Sequence, residues 1–190
     1  MRKVIYAMTV SLDGFIEAVN GDLSWSEPDQ ELFQHFLDRD RAFGAFLYGR
    51  TVYELMAAFW PTADQNPSAP PHQVEYAQVW RDKPKLVFSK TLEQVGWNAR
   101  LVKGNIAAEV NQLKQQPGSD MNVAGAGLGA TFMQLGLIDE YDLYLRPIIL
   151  GGGKPFFPQL RQPIPLQLVE TRQFNQGVVL LRYLLAGAGQ

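Results

Sequence analysis

The chain has no cysteine and only two histidines, His35 and His72. The absence of cysteine excludes disulfides, thiolate zinc sites, CxxC redox pairs and a cysteine nucleophile. Two imidazoles are too few for a three-histidine metal site, and we therefore expect no metal centre. The side chains bring few reactive groups to any chemistry that takes place here.

An excess of charge of one sign is also missing. Lysine and arginine together number 17 against 19 acidic residues, which gives a formal net charge of −2. The sequence therefore lacks the basic surface that is typical of nucleic-acid binding. We expect a small-molecule ligand and no nucleic-acid partner.

Long hydrophobic runs are absent as well. No apolar run approaches the ~18 residues of a membrane span. The N-terminal MRKVIYAMTV is interrupted by SLDG at 11–14, so its apolar stretch is too short for a signal peptide, and no small-residue cleavage site follows. We expect a cytoplasmic protein that does not bind membranes.

The apolar sequence that is present suffices for one core. The length of 190 residues, 46% of them hydrophobic, predicts a single domain over 1–190, which buries roughly 70% of its unfolded surface without a staple. The aromatic share of 12% favours an additional contact surface, and we expect a homodimer. The proline-rich segment Pro61–Pro71 is either a surface loop or a flap over a pocket.

Apolar runs and periodicities predict strands that alternate with helices. The predicted strands cover 3–10, 45–48, 85–88, 121–124, 141–148, 166–171 and 178–185. Helices are predicted over 51–59 and 128–135 and directly after the N-caps Ser26 and Asn105. This alternation, followed by a C-terminal hairpin, indicates an α/β fold. We expect a three-layer α/β/α sandwich whose mostly parallel sheet ends in antiparallel C-terminal strands.

Ligands of such sheets bind beyond the carboxyl ends of the strands, and two of these junctions contain glycine. Gly49-Arg50-Thr51 combines a helix start with a guanidinium and a hydroxyl, which suits a phosphate. The segment 125–129 (GAGLG) opens the last helix with small residues, although it is not GxGxxG. Taken singly, each is better explained as a tight turn without a ligand; together they favour an extended ligand with two phosphates. The loop 89–91 (SKT) either holds a further phosphate or is simply polar.

Six segments in order carry a resemblance to a known family: AMTVSLDGFIE, GDLSW, YGRTVYE, LVFSKT, VAGAGLGATFM and LIDEYDLYLRPIILGGGKPFF. This order resembles the dihydrofolate-reductase-like superfamily. Within it, the sequence is most similar to the reductase domain of bifunctional riboflavin-biosynthesis deaminase-reductases and its stand-alone bacterial homologues. The match covers about 3–184. The resemblance implies an eight-stranded mixed sheet, an NADPH site and hydride transfer to a pterin- or pyrimidine-like substrate.

The resemblance also implies roles for particular residues. The cofactor would be held by residues near four strand ends, namely Ala7, Met8, Gly49, Arg50, Thr51, Ser89, Lys90, Thr91, Gly125, Ala126, Gly127 and Leu128. Trp25, Gln30 and Gly152 would lie at the substrate. In dihydrofolate reductases a carboxylate follows the loop tryptophan by five residues. That position is Gln30 here, and an amide cannot relay a proton.

Asp13 is the one acid that we assign to catalysis. A carboxylate beside the nicotinamide would bind a substrate hydroxyl or amino group and stabilise a protonated nitrogen. The alternative is a structural role, in which an Asp-Gly turn accepts backbone N–H groups. Asp139-Glu140 is expected in a solvated helix-to-strand turn, and His72 in a solvated loop.

The sequence therefore predicts an NADPH-dependent reductase that resembles 5-amino-6-(5-phosphoribosylamino)uracil reductase and acts on a small heterocyclic or sugar-imine substrate. A dihydrofolate reductase is an alternative that Gln30 argues against. A non-catalytic nucleotide-binding protein of the same fold is a further alternative.

Overall fold

The computed structural model describes residues 1–187. Its strands, numbered in chain order, are β1 (Val4–Ser11), β2 (Phe15–Glu17), β3 (Ala45–Gly49), β4 (Lys85–Phe88), β5 (Ala99–Val102), β6 (Met121–Ala124), β7 (Glu140–Arg146), β8 (Lys154–Pro155), β9 (Leu166–Gln173) and β10 (Val179–Leu185). Its α-helices are α1 (Gln30–Ala42), α2 (Arg50–Phe59), α3 (Pro71–Asp82), α4 (Ile106–Gln115) and α5 (Ala126–Gln134).

Eight of the strands form one mixed sheet in the order β5-β4-β3-β6-β1-β7-β10-β9. The first six run parallel to one another, whereas β10 is antiparallel to both β7 and β9. Connections that contain helices join most of the parallel strands, whereas the non-helical segment 89–98 joins β4 to β5. A tight connection through 174–178 joins the C-terminal hairpin. The predicted mixed sheet with antiparallel C-terminal strands is confirmed. The short strands β2 and β8 pair separately.

Helices cover both faces of the sheet. On one face α4 and α5 contribute the fully buried Val110 and Phe132 to the core cluster around β1 and β6. On the other face α1 and α3 contribute Leu37 and Trp80, which are also fully buried. Strand β1 lies between the two layers, which explains its nearly continuous apolar sequence. The predicted three-layer sandwich is confirmed.

The predicted N-cap of the first long helix is wrong. Ser26 ends a 3₁₀ turn, and the N-cap of α1 is Asp29, three residues later, whose carboxylate accepts the N–H of Leu32 at 2.9 Å. The residue before a proline avoids the helical region, and Glu27, which precedes Pro28, is extended at φ −57° and ψ 123°. The helix therefore cannot start before the proline. The predicted cap Asn105 is confirmed, since its side chain accepts the N–H of Ala108.

The proline-rich segment is more ordered than a loop. A 3₁₀ helix covers Trp60–Gln65 and buries Pro61. Pro71 is the first residue of α3, where its missing N–H costs no hydrogen bond. The Arg81 guanidinium of α3 binds the Asp64 carboxylate at 2.6 and 2.9 Å. His72 therefore lies on a helix, with its ring 4.5 Å from that of Phe33, and the expectation of a solvated loop histidine is wrong.

Asp139 and Glu140 do not form a solvated turn. Asp139 accepts the N–H of Val4 at 2.7 Å and pairs with Lys114. Glu140 begins β7 and is only 5% exposed. Glu140 lies in a strand that has a neighbour on each side, so its side chain is enclosed and its charge requires partners, whereas Asp139 directly precedes the strand and is partly buried. The prediction failed because it placed the strand start one residue later.

No helix within residues 1–187 is long and apolar enough to cross a membrane. The structure contains one chain, and the homodimer stays a prediction.

A candidate active-site cleft at the strand ends

A cleft of about 590 Å³ follows the carboxyl ends of five adjacent strands. In sheet order, its lining includes the loops after β5, β4, β3 and β6 and Met8 on β1, with further residues from β2 and β8. Neighbouring strands are ~4.8 Å apart, so four such spacings carry the cleft over roughly 19 Å. The cleft is therefore long enough for an extended ligand, in the position where α/β sheets bind ligands.

Ten of the twelve residues predicted to hold a cofactor line this cleft. They are Met8, Gly49, Arg50, Thr51, Ser89, Lys90, Gly125, Ala126, Gly127 and Leu128. Ala7 does not line it, because successive side chains of a strand alternate between faces and Ala7 packs under the opposite helical layer. Thr91 does not line it either, and its N–H donates to the hydroxyl of Ser89 at 3.2 Å.

Two helices begin in the cleft without a side-chain cap. Helix α2 starts after Gly49 and α5 after Gly125, and neither residue can supply a capping side chain. Helix α4, whose start lies beside the same cleft, is by contrast capped by Asn105. The first N–H groups of a helix have no partner within it and carry partial positive charge. The uncapped starts of α2 and α5 therefore provide two anion-binding positions side by side, on adjacent strands β3 and β6.

Glycines bring these two helix starts together. Gly125 has φ +92°, and a Cβ built on it would lie 2.5 Å from Cγ2 of Val52 in α2. A side chain here would force the helix starts apart. At Gly127 a Cβ would meet no atom within 4 Å, so this position leaves open space at the cleft wall. Gly49 tolerates a Cβ at an ordinary 3.6 Å from Leu128.

The charge of the lining is unevenly distributed. Three cations, Arg50, Lys90 and Lys103, follow the neighbouring strands β3, β4 and β5. The opposite end near β1 is lined by the apolar Met8, Ile16 and Leu23, together with the pair Glu17 and Lys154. Sequence reasoning missed Lys103 because β5 was not predicted, so the loop after it was not considered. A polar loop after the short alternating segment 99–102 was the available signal.

Asp13 lies outside the cleft lining and is exposed. Its carboxylate accepts the Ser11 hydroxyl at 2.6 Å and the N–H groups of Leu150 and Gly151 at 3.1 and 2.7 Å. These hydrogen bonds, that from Ser11 foremost, lower the pKa of Asp13. The geometry agrees with the structural alternative, with N–H donors from the glycine loop after β7. The catalytic role stays a prediction.

The three residues expected at the substrate do not line the cleft. Trp25 is half-buried in a 3₁₀ turn, and its Nε1 is shielded from solvent without a hydrogen-bond partner among the described residues. Gln30 is exposed at the first position of α1. Gly152 approaches Val19, which a Cβ would meet at 3.2 Å. The segment Pro61–Pro71 contributes no lining residue either, so the geometry does not support a flap. The substrate roles stay predictions.

The sheet order and the position of the cleft define a protein of the dihydrofolate-reductase-like fold, as three solved structures illustrate. A candidate riboflavin biosynthesis protein from Shewanella sp. PV-4 aligns over 97% of this chain and 99% of its own with a TM-score of 0.74 at 23% identity. Dihydrofolate reductase from Enterococcus faecalis, complexed with NADP(H), aligns over 97% and 96% with a TM-score of 0.64 at 10% identity. A diaminohydroxyphosphoribosylaminopyrimidine deaminase/5-amino-6-(5-phosphoribosylamino)uracil reductase from Thermotoga maritima gives 0.67 at 15% identity, over 97% of this chain and 57% of that one.

The chain belongs to the RibD C-terminal domain family, whose model matches residues 2–180. Two relatives from Bacillus subtilis (strain 168) are the uncharacterized proteins YyaP, 38% identical over 96% of this chain and 94% of its own, and YwjB, 30% identical over 94% and 96%. The predicted family is thereby confirmed. Membership in it supports an oxidoreductase, specifically a reductase of the riboflavin-pathway kind.

Proposed function

We propose that the protein is an NADPH-dependent reductase that holds its cofactor along the strand ends. One observation carries the proposal: a single cleft combines two uncapped helix starts, three cations at one end and an apolar surface at the other. NADPH has the matching parts, namely a diphosphate, a phosphorylated adenosine and a planar nicotinamide ring, which an apolar surface shields from water.

The residues fit these parts in order. The starts of α2 and α5, with Arg50, would bind the diphosphate. Lys90 and Lys103, after β4 and β5, would supply the charge for the additional phosphate of NADPH. Met8 and Ile16 would exclude water at the nicotinamide end. The cofactor supplies the hydride when bound, while the chain binds, orients and desolvates the reactants.

We propose a small nitrogen heterocycle or sugar imine as the substrate. The family and the reductase activity of the Thermotoga maritima protein support this class. The cleft also provides no thiol or imidazole for covalent chemistry. A dihydrofolate reductase is less favoured, because Gln30 is an exposed amide at a helix start. Oxidation of NADPH upon addition of dihydrofolate would make this interpretation of Gln30 wrong.

Titration with NADPH and NADH, followed by quenching of tryptophan fluorescence, tests the cofactor. We expect NADPH to bind more tightly than NADH. Replacing Lys90 and Lys103 by glutamine should weaken NADPH binding by about tenfold or more, the value of a hydrogen bond to a charged group, and leave NADH binding nearly unchanged. Absence of binding of either nucleotide at millimolar concentration would contradict a reductase. Binding without turnover of any imine or heterocycle would favour a non-catalytic nucleotide-binding protein.

A further inference from the structure

The β1 end of the cleft contains an ion pair that the cofactor assignment does not use. Lys154 Nζ lies 2.9 Å from Oε2 of Glu17, and both residues line the cleft. Glu17 is the one carboxylate among the lining residues in the described part of the chain. Its neighbours at this end, Met8, Ile16 and Leu23, are apolar. The pair is thus the polar feature of an otherwise apolar end.

The backbone holds this pair in place. Glu17 and Lys154 are partners in the two-stranded sheet of β2 and β8, and the N–H of Phe156 donates to the carbonyl of Gly14 at 2.9 Å. At Gly153, φ is +141° and a Cβ would lie 1.9 Å from the carbonyl oxygen of Glu17, so a residue with a side chain does not fit this approach. Asp13 anchors the same glycine loop by accepting the N–H groups of Leu150 and Gly151.

Fold stability does not account for the pair. The Lys154 side chain is 47% exposed and that of Glu17 is 32% exposed. Ion pairs with this much solvent contribute little to folding, because water screens the attraction and two long side chains lose freedom. Their charges remain available to a ligand that enters the cleft, and excluding water around that ligand would strengthen both interactions.

We propose that Glu17 and Lys154 orient the substrate by recognising a planar ring that carries an N–H beside a carbonyl, that is, a lactam edge. The Glu17 carboxylate accepts the N–H, and the Lys154 ammonium donates to the carbonyl oxygen. The acid at the substrate is then Glu17, and Asp13 is a positioning residue that fixes the loop carrying Lys154. This inference rests on the proposed reductase function, since it takes the β1 end of the cleft as the substrate end.

Two small probes separate lactam recognition from general ring binding. Uracil has the N–H and carbonyl edge, whereas 1,3-dimethyluracil has the same ring without N–H groups. Ligand-observed NMR would measure the binding of each probe to the protein saturated with NADP⁺. We expect uracil to bind and dimethyluracil to bind far more weakly. In Glu17→Gln and Lys154→Gln, uracil affinity should fall by about tenfold, and by much more than NADPH affinity does.

The controls distinguish the two proposals. If the wild type does not bind NADPH, the reductase function is wrong. If NADPH binds but uracil does not, or if uracil binds no more tightly than dimethyluracil, the lactam inference alone is overturned. It is also overturned if the affinity of uracil for both variants equals its affinity for the wild type. The charge-reversed double variant Glu17→Lys/Lys154→Glu keeps the ion pair with its charges exchanged. It should fold normally, so its Tm shows whether the ion pair itself matters to folding.

Discussion

Replacing Gly125 by alanine tests the geometry that brings the two helix starts together. At φ +92° an L-residue is strained by about 1–2 kcal/mol. The new methyl group would also lie 2.5 Å from Cγ2 of Val52, and overpacking of this kind costs roughly 1–3 kcal/mol. The sum is about 2–5 kcal/mol of unfolding free energy. For a chain of this size it corresponds to a fall in Tm of roughly 4–20 °C.

The assay is thermal and urea unfolding, with Gly127→Ala as the matched control. At Gly127 the added methyl group meets no atom within 4 Å, and alanine is a better helix former than glycine by roughly 0.5–1 kcal/mol. Gly127→Ala should therefore unfold at the wild-type temperature or above it. Because its methyl group occupies the cleft wall, this variant should nevertheless bind NADPH about tenfold more weakly, which corresponds to ~1.4 kcal/mol.

A second substitution divides the cost at Gly125 into its two parts. Val52→Ala in the Gly125→Ala background removes the steric contact and leaves the backbone strain, so the double variant should be more stable than additivity of the two single variants predicts. The reasoning is refuted if Gly125→Ala unfolds at the same temperature as the wild type. It is equally refuted if Gly127→Ala is as destabilised as Gly125→Ala.

Three further predictions concern the framework of the site. Asp142 is fully buried and pairs with Arg39 and Arg182 at 2.6 and 2.8 Å. Asp142→Asn should therefore lower the free energy of unfolding, measured in urea, by about 3 kcal/mol. As a control, Asp38→Asn, in an exposed pair with Arg41, should change it little. Burial lowers the pKa of Lys85 to about 8. Between pH 8 and 10.5 the unfolded chain therefore binds more protons than the native protein, so native stability rises with pH. The unfolding free energy of the wild type should increase relative to that of Lys85→Met as the pH rises through this range. Asp13→Asn should leave the Tm nearly unchanged but accelerate amide exchange at Leu150 and Gly151, and equal exchange in both proteins would contradict the anchoring role.

The layered fold could be predicted from sequence because its main strands are covered on both faces. Strands β1, β3, β4 and β6 are short apolar runs bounded by glycine or polar residues, and a helical period follows most of them. The elements that were missed lack this signal. Strand β8 has two exposed residues, and α3 begins at the second of two adjacent prolines, which resembles a loop in sequence. Tertiary pairing, rather than local propensity, determines β8.

The same division applies to the site. The phosphate-binding turns are local features, in which glycine at a strand end precedes a helix start, and they were found in sequence. The pair of Glu17 and Lys154 is separated by 137 residues and becomes visible only once β2 pairs with β8. Asp13 was noticed as an acid after a buried strand, but the partners of its carboxylate come from a loop that is equally distant in sequence.

The most direct test of the account is the NADPH affinity of Arg50→Gln, measured by calorimetry beside that of Arg161→Gln. Arg50 lines the cleft at the start of α2, whereas Arg161 is exposed and lies outside it. The account predicts that NADPH binds Arg50→Gln about tenfold or more weakly than the wild type and binds Arg161→Gln as it binds the wild type. Equal affinity in the two variants would contradict a cofactor site along the strand ends.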